Sequence, residues 1–425
     1  MIDRPPPRQQ NQLKKIRYQR ISYGPMLLFF CAWLTFYSVF AQPERIQDPL
    51  SGLSYEVAER SAGSYQLSEP ATAGTNRSIR QHPLQNGGPL SPFDIGITFP
   101  GPDFDDNSAQ IGVRFIPPDP MGAAGIDRVL GVVNVLIEMR DKSGSLIFQE
   151  DLKTFFSPLG GQTLGTYTFD PKVVFDPYEE RFVVVTMEQT ESPQGSRILM
   201  AVSKTATPST AGAADWYFLS INSLISINGV PAWADYPGFE LDEEAIYVTA
   251  NMFPFAAGDV AVRLWIIDKG VGGGFYSGGA ASVTVHDPYA GGGTPVTTMP
   301  AQVYGAGGVP GGSGDVGTFL IGYDGLSDGS SEFVQIVRVD DPLGSAGGPF
   351  FTLETIDVGN IDNIGASVGT APQPGATSFL DMLNTVGRRV YDAVWRDGAL
   401  WLVTIVNPPD GPDAGQTTEI GRAHV

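Results

Sequence analysis

The stretch IPPDPMGAAGIDRVLGVVNVLIEMRDKSGSLIFQEDLKTFF, residues 116–156, decides how the chain is read. It opens on a Pro/Asp turn, 117–120, and then runs through VLGVVN (129–134), VLIEMR (135–140) and SLIFQ (145–149). A charged hairpin turn, DKSG at 141–144, separates the last two. Runs rich in β-branched and aromatic residues and bounded by Gly, Pro, Asp and Ser are the pattern of strands.

The plan recurs down the chain. A second unit opens at Asp170-Pro171 and runs RFVVVTME (181–188), RILMAVS (197–203) and DWYFLSI (215–221). A third opens at Asp235-Tyr236-Pro237 and runs AIYVTANMF (245–253), VRLWIID (262–268) and ASVTVHD (281–287). A fourth has TFLIGYD (318–324), FVQIVRVD (333–340) and PFFTLETIDV (349–358), and a fifth RVYDAVW (389–395) and ALWLVTIV (399–406). Units of roughly 50–80 residues are near or above the repeat lengths of propeller blades. Runs such as VLGVVNVLI are apolar on both faces, which suits strands packed between neighbouring sheets. A ring of such sheets buries both faces of each and leaves short edges. The expected fold is therefore all-β, a β-propeller of three- to four-stranded blades. A β-sandwich, or a pair of them, is the competing architecture. No window beyond the N-terminal segment sustains a helical apolar period.

Four domains are expected: a signal peptide or N-terminal membrane anchor at 1–41, a low-complexity leader at 42–95, the propeller at 96–418, and a non-native tail at 419–425. Lys14, Lys15, Arg17 and Arg20 precede the uncharged run 25–40, PMLLFFCAWLTFYSVF, and Ala41 offers a cleavage position; that order is the pattern of an export signal. The alternative is an uncleaved anchor over 23–41, which is borderline in length for a span. The expected location is secreted or cell-surface. The only cysteine, Cys31, lies in this run, so the exported part has no disulfide. The sequence 419–425, EIGRAHV, resembles translated sequencing adapter, so the expected ring is truncated at its C-terminal end. Phe93–Phe99 reads as a strand that closes the ring.

Residues 1–41 carry six of the 26 basic residues and one of the 46 acids, leaving a net charge of −25 on the remainder. That excludes nucleic acid as a partner, since phosphate contacts need Lys and Arg. Membrane contact is expected only through an uncleaved N-terminal segment. A carbohydrate or an extracellular protein is the expected partner.

Asp119, Asp170 and Asp235 stand before the first strands of successive units, and Glu188 ends one. If the strands radiate equivalently, these carboxyls gather at one end of the central channel. Paired carboxyls there can act as acid and base on a glycoside, or bind a cation. The structural alternative is that an Asp before Pro caps a turn. Trp233 and Tyr236, in a loop, are the aromatics best placed to stack on a sugar; Asn251 and the possible anion clamps Arg181 and Arg263 complete the ligand candidates. Histidines are too scattered for a zinc site or a Ser-His-Asp system. Asp103, Asp105 and Asn107 alternate as at the start of a calcium loop, so Ca2+ is the one cofactor expected, although the glycine and glutamate of the full loop are missing. Turn-forming Asp324 and Asp328 are weaker candidates for the same ion. The glycine-rich stretches 270–279 and 305–314 read as flexible rim loops, and 359–384 as a long loop over one end.

Ile116-Pro117-Pro118-Asp119-Pro120, then Asp170-Pro171-Lys172-Val173-Val174-Phe175-Asp176 with Arg181-Phe182, then Ala234-Asp235-Tyr236-Pro237 with 245–253, together resemble a group of uncharacterised secreted bacterial proteins with propeller-like repeats. The resemblance covers roughly 116–253 and, more loosely, 388–406. It implies an exported repeat domain and brings no activity with it.

Overall fold

The computed structural model describes residues 44–47, 97–162, 165, 168–290, 296–303, 316–364, 370–371, 383–384, 387–396, 399–409 and 419–420. The segments 1–41, 93–96 and 305–314, and most of the leader and of 359–384, lie outside them, so the export, leader and loop readings made there have no structural counterpart. Among the described residues no helix is long and apolar enough to cross a membrane.

Five small sheets form a ring, a five-bladed β-propeller. A two-stranded ribbon, β1 (Glu44–Gln47) with β2 (Val113–Ile116), precedes it. Blade one is β3 (Met121–Ala124), β4 (Arg128–Val133), β5 (Leu136–Asp141) and β6 (Leu146–Asp151). Blade two is β7 (Phe169–Asp176), β8 (Arg181–Glu191), β9 (Gln194–Ser203) and β10 (Trp216–Asn222). Blade three adds a short strand, β11 (Ile225–Ile227), to β12 (Val230–Leu241), β13 (Ala245–Pro254), β14 (Ala261–Asp268) and β15 (Val283–His286). The next inner segment is divided. β16 (Met299–Pro300) starts blade four with β18 (Val316–Gly322), β19 (Glu332–Asp340) and β20 (Phe350–Gly359), while β17 (Gln302–Val303) crosses to pair in parallel with blade five. A ribbon of β21 (Thr370–Ala371) and β22 (Leu383–Asn384) separates these from β23 (Val390–Arg396), β24 (Ala399–Val406) and β25 (Glu419–Ile420) of blade five. Ile97–Phe99 is not a strand.

Stacking of blade on blade explains the doubly apolar runs. Nine consecutive residues of β13, Ala245 to Phe253, are buried, because both of its faces meet a neighbouring sheet. One core cluster joins blades one and two through Leu130, Ile137, Val184, Leu199 and Trp216. The short helix Leu152–Phe155 drives Phe155 into it, edge-on to Trp216 at 5.1 Å.

The main correction concerns the Asp/Pro segments. In blades two and three they are not turns opening the unit but part of the inner strands β7 and β12; in blade one Asp119-Pro120 stands outside any strand, just ahead of β3. Asp119, Asp170 and Tyr236 each have positive φ (42°, 48° and 51°) and each precedes a proline. Register slips at Phe169/Lys172 and Asp235/Gly238 mark the resulting bulges. Left-handed non-glycine backbone is costly and persists only where surroundings over-determine it. Here they do. Asn134, after β4, accepts the Asp170 N–H at 2.8 Å, and Asn251 of β13 accepts the Thr297 N–H (Thr297 φ 65°) at 2.7 Å. In these two cases an asparagine of one blade pins left-handed backbone at the start of the next.

Residues 103–111 also differ from expectation. They form a helix, Phe104–Ile111, rather than a loop. Asp103 caps it through the Asp105 and Asp106 N–H groups, and Asp106 closes the box on the Asp103 N–H. Asp105 pairs with Arg114 at 2.6 Å, and buried Asn107 donates to the Asn134 carbonyl at 3.2 Å. The glycine-rich 270–279 segment is anchored rather than loose: Phe275 and Tyr276 are buried, and Tyr276 hydrogen-bonds Asp176 of blade two.

At Gly238, β12 closely approaches the segment that opens blade four. A Cβ there would lie 2.1 Å from Thr249 Oγ1 and 2.7 Å from both Pro300 and the Thr298 carbonyl. Gly238→Ala is expected to cost about 1–3 kcal/mol through overpacking. Denaturant unfolding of the variant measures this, and an unchanged midpoint would mean that the inner strands are not in contact there.

Candidate functional site

The inner strands bring side chains from four blades into one electrostatic group, which can only happen at the ring axis. Asp119 precedes β3, Asp170 and Lys172 lie on β7, Asp235, Tyr236 and Glu240 on β12, and Arg389, Tyr391 and Asp392 at the start of β23. The side chain of Asp170 is within hydrogen-bonding reach of those of both Asp119 and Asp235. A bond between two carboxyls requires a shared proton. Asp119 also accepts from Asn134 Nδ2 at 2.5 Å, and the same amide group donates to the Pro117 carbonyl at 2.7 Å.

Electrostatics follow from this packing. Burial holds the Asp170 carboxyl well above the usual carboxylate range, and the charges of Asp235 and Asp119 add to the effect. Burial pushes Asp235 up to about 7 against the opposing hydrogen bond from Asp170. Asp119, half-buried, is raised by burial, while its bonds to Asp170 and Asn134 and the charges of Lys172 and Arg389 pull it back. Burial thus disfavours the ionised form across the cluster, and Asp119 is its most solvent-accessible member.

Two cations accompany it. Lys172 Nζ lies 5.0 Å from the centre of the Tyr236 ring and 3.7 Å from Met299 Sδ; the Arg389 guanidinium lies 5.4 Å from the same ring. Burial lowers the Lys172 amine, against the charges of Asp392, Glu240, Asp170 and Asp119. Burial also raises the Tyr236 hydroxyl to about 12.

The remaining candidates are placed as follows. Glu188 is buried and pairs with Lys153 at 3.1 Å. Asn251 holds Thr297, as above. Trp233 is not on a loop: it is buried in β12 between Phe169 and Phe253. Arg181 donates to the Tyr276 carbonyl at 2.6 Å, and Arg263 pairs with Asp287 at 3.0 Å. Neither arginine joins the channel group. Asp328 is committed to its own hairpin, accepting from Ser330 and Ser331. Among the described residues no group of three or more His, Cys, Asp or Glu side chains is placed to hold a metal ion.

Sequence reasoning missed Lys172, Glu240, Arg389, Tyr391 and Asp392. A signal existed for Asp392, a lone acid inside the apolar run VYDAVW. Lys172 gave no such signal, because the register slip between Phe169 and Lys172 breaks the alternation that would relate it to Asp170. Only the closed ring shows that blade five faces blades one to three.

No family model matches the chain, and no curated relative is found. Solved structures similar to it include an exo-1,5-alpha-L-arabinanase from a bovine ruminal metagenomic library, 11% identical over 72% of this chain and 92% of that one, TM-score 0.29. They also include an exo-beta-1,3-galactanase from Phanerochaete chrysosporium, 12% identical over 73% and 61%, TM-score 0.33. A third is an N-acetylgalactosamine deacetylase from F. plautii, 10% identical over 72% and 85%, TM-score 0.32. At this overlap the five-bladed assignment rests on the chain's own sheet order.

Proposed function

We propose that the protein is an exported β-propeller that binds a glycan at the channel end and cleaves it by acid–base chemistry. One observation carries this reading: three carboxyls from three successive blades gather beside two cations and a tyrosine, and burial disfavours the ionised form of all three. A carboxyl kept protonated by its surroundings is what a general acid requires. In the proposed step it protonates the glycosidic oxygen, water attacks the anomeric carbon, and a carboxylate takes the proton of that water. Asp119 is the member that meets the ligand, and Asp170 and Asp235 behind it keep the proton. Export is part of the proposal and rests on the basic-then-apolar order of residues 14–41.

A second reading, binding without cleavage, is favoured by the burial of Asp170 and Asp235, which leaves Asp119 as the member of the three within reach of a ligand. Release of reducing ends from a panel of arabinans, galactans and amino-sugar polymers decides between them. Cleavage is expected, reduced by about 10²–10⁴ in Asp119→Asn and Asp170→Asn. Binding of a panel member with no cleavage by the unmodified protein would leave the binding reading alone.

A further inference from the structure

The channel holds a second acidic tier that the cleavage step does not use. Glu240, further along β12 than Asp235, acts electrostatically on Lys172 and Asp392. It is only 7% exposed, and its Oε2 is buried with no hydrogen-bond partner. Such an orphaned oxygen is costly and is found where a missing partner belongs. Asp392, from blade five, is exposed and close by.

The two nearby cations do not fill that role. Lys172 is turned to the Tyr236 ring and the Met299 sulfur, and Arg389 to the same ring. Among the described residues neither makes an ion pair at contact distance with any of the five channel carboxyls, Asp119, Asp170, Asp235, Glu240 and Asp392. Five acids thus share the axis with two cations. The groups facing Glu240 are Asp392 from β23 and Lys172 from β7, and burial followed by the Asp392 charge holds its carboxyl well above the usual range.

We infer that this tier receives a protonated amine, so that the glycan bound is an amino-sugar polymer with free amino groups. The inference rests on the glycan reading above and specifies its substrate class. An ammonium supplies the donor that Glu240 Oε2 lacks, and its charge offsets the repulsion between Glu240 and Asp392. On binding, Glu240 would give up its proton, because an adjacent cation favours the carboxylate.

The test is titration calorimetry of the full chain with three tetrasaccharides: fully deacetylated glucosamine, its N-acetylated counterpart, and a neutral galacto-oligosaccharide. Each is run in two buffers of different ionisation enthalpy. The expected result is at least tenfold tighter binding of the free-amine tetramer, with proton release detected as a difference between buffers. Glu240→Gln should weaken that binding at least tenfold. Asp392→Asn, which keeps the side-chain oxygen that accepts from the Ala393 N–H, should weaken it in the same direction. Equal or tighter binding of the acetylated or neutral tetramer overturns the inference and leaves the glycan reading standing. If no tetramer binds and no polysaccharide in the panel is cleaved, both fall. Tight amine binding without proton release, or unaffected by both variants, also overturns the assignment to Glu240.

Discussion

Lys269→Met is expected to lower stability by about 3–5 kcal/mol, the cost of stranding a buried charge. Lys269 is 1% exposed, and its Nζ lies 2.7 Å from Asp176 Oδ2, itself fully buried. It also donates to the Asp242 carbonyl and sits 5.0 Å and 5.7 Å from the Tyr178 and Tyr276 ring centres. Asp176 ends the inner strand of blade two, while Asp242 and Lys269 follow strands of blade three, so the pair rivets one blade to the next. The Tyr276 hydroxyl adds a 2.8 Å bond to the same carboxylate. Methionine keeps the length of the side chain and removes the ammonium. Asp176 then keeps its tyrosine and its backbone donors from Tyr178 and Glu179, but no counter-charge. Guanidinium unfolding gives the difference. The double variant Lys269→Met with Asp176→Leu should recover part of it, since an apolar pair removes the uncompensated charge. A single variant within about 1 kcal/mol of the parent protein would show that the pair is not a rivet.

This rivet was not legible in the sequence. Lys269 stands at the edge of a glycine-rich stretch, and periodicity offered no reason to bury it. The blades themselves were legible, because ring stacking forces apolar residues onto both faces of β8 and β13, and that shows as an uninterrupted run. The inner strands were hidden for a local reason. Proline after Asp170 and Tyr236 has the chemistry of a turn, and only the structure, with Asn134 of blade one on the Asp170 N–H, shows that the distortion is held inside a strand. The same distortion alters the equivalence assumed for the acids. Asp119 and Asp170 occupy the left-handed position, but in blade three Tyr236 does, and Asp235 precedes it. Its carboxyl still reaches Asp170, one residue out of step. Asp103, Asp105 and Asn107 read as alternating ligands because alternation in sequence does not distinguish a loop from a capped first helical turn.

Stability should fall as the pH is raised from about 4 to 8, and the channel acids should account for most of the slope. Asp170 and Asp235 have folded-state pKa values above their unfolded ones, Asp235 at about 7. Asp119 and Glu240 shift the same way, and burial leads the causes in all four. The fold therefore binds more protons than the unfolded chain across this window. The stabilisation is fully present below the unfolded carboxyl value near 4 and is lost as the pH rises through the folded values. A rise from 3.8 to about 7 at Asp235 corresponds to at most about 4 kcal/mol at 1.36 kcal/mol per unit. Opposite shifts occur at Asp141, Asp328 and Asp341, which their own turn hydroxyls and N–H groups hold down. Those contributions are lost only as the pH falls through the lowered values, below the window, and Asp328, which is exposed, is also screened. Urea unfolding at pH 5 and pH 8 measures the slope directly. In Asp235→Asn the amide still bonds Asp170 but cannot ionise, so the difference between the two pH values should shrink by about 2–4 kcal/mol. An Asp235→Asn slope equal to that of the unmodified protein would mean that the three carboxyls do not share protons. The general-acid role proposed for the cluster would then lose its physical basis.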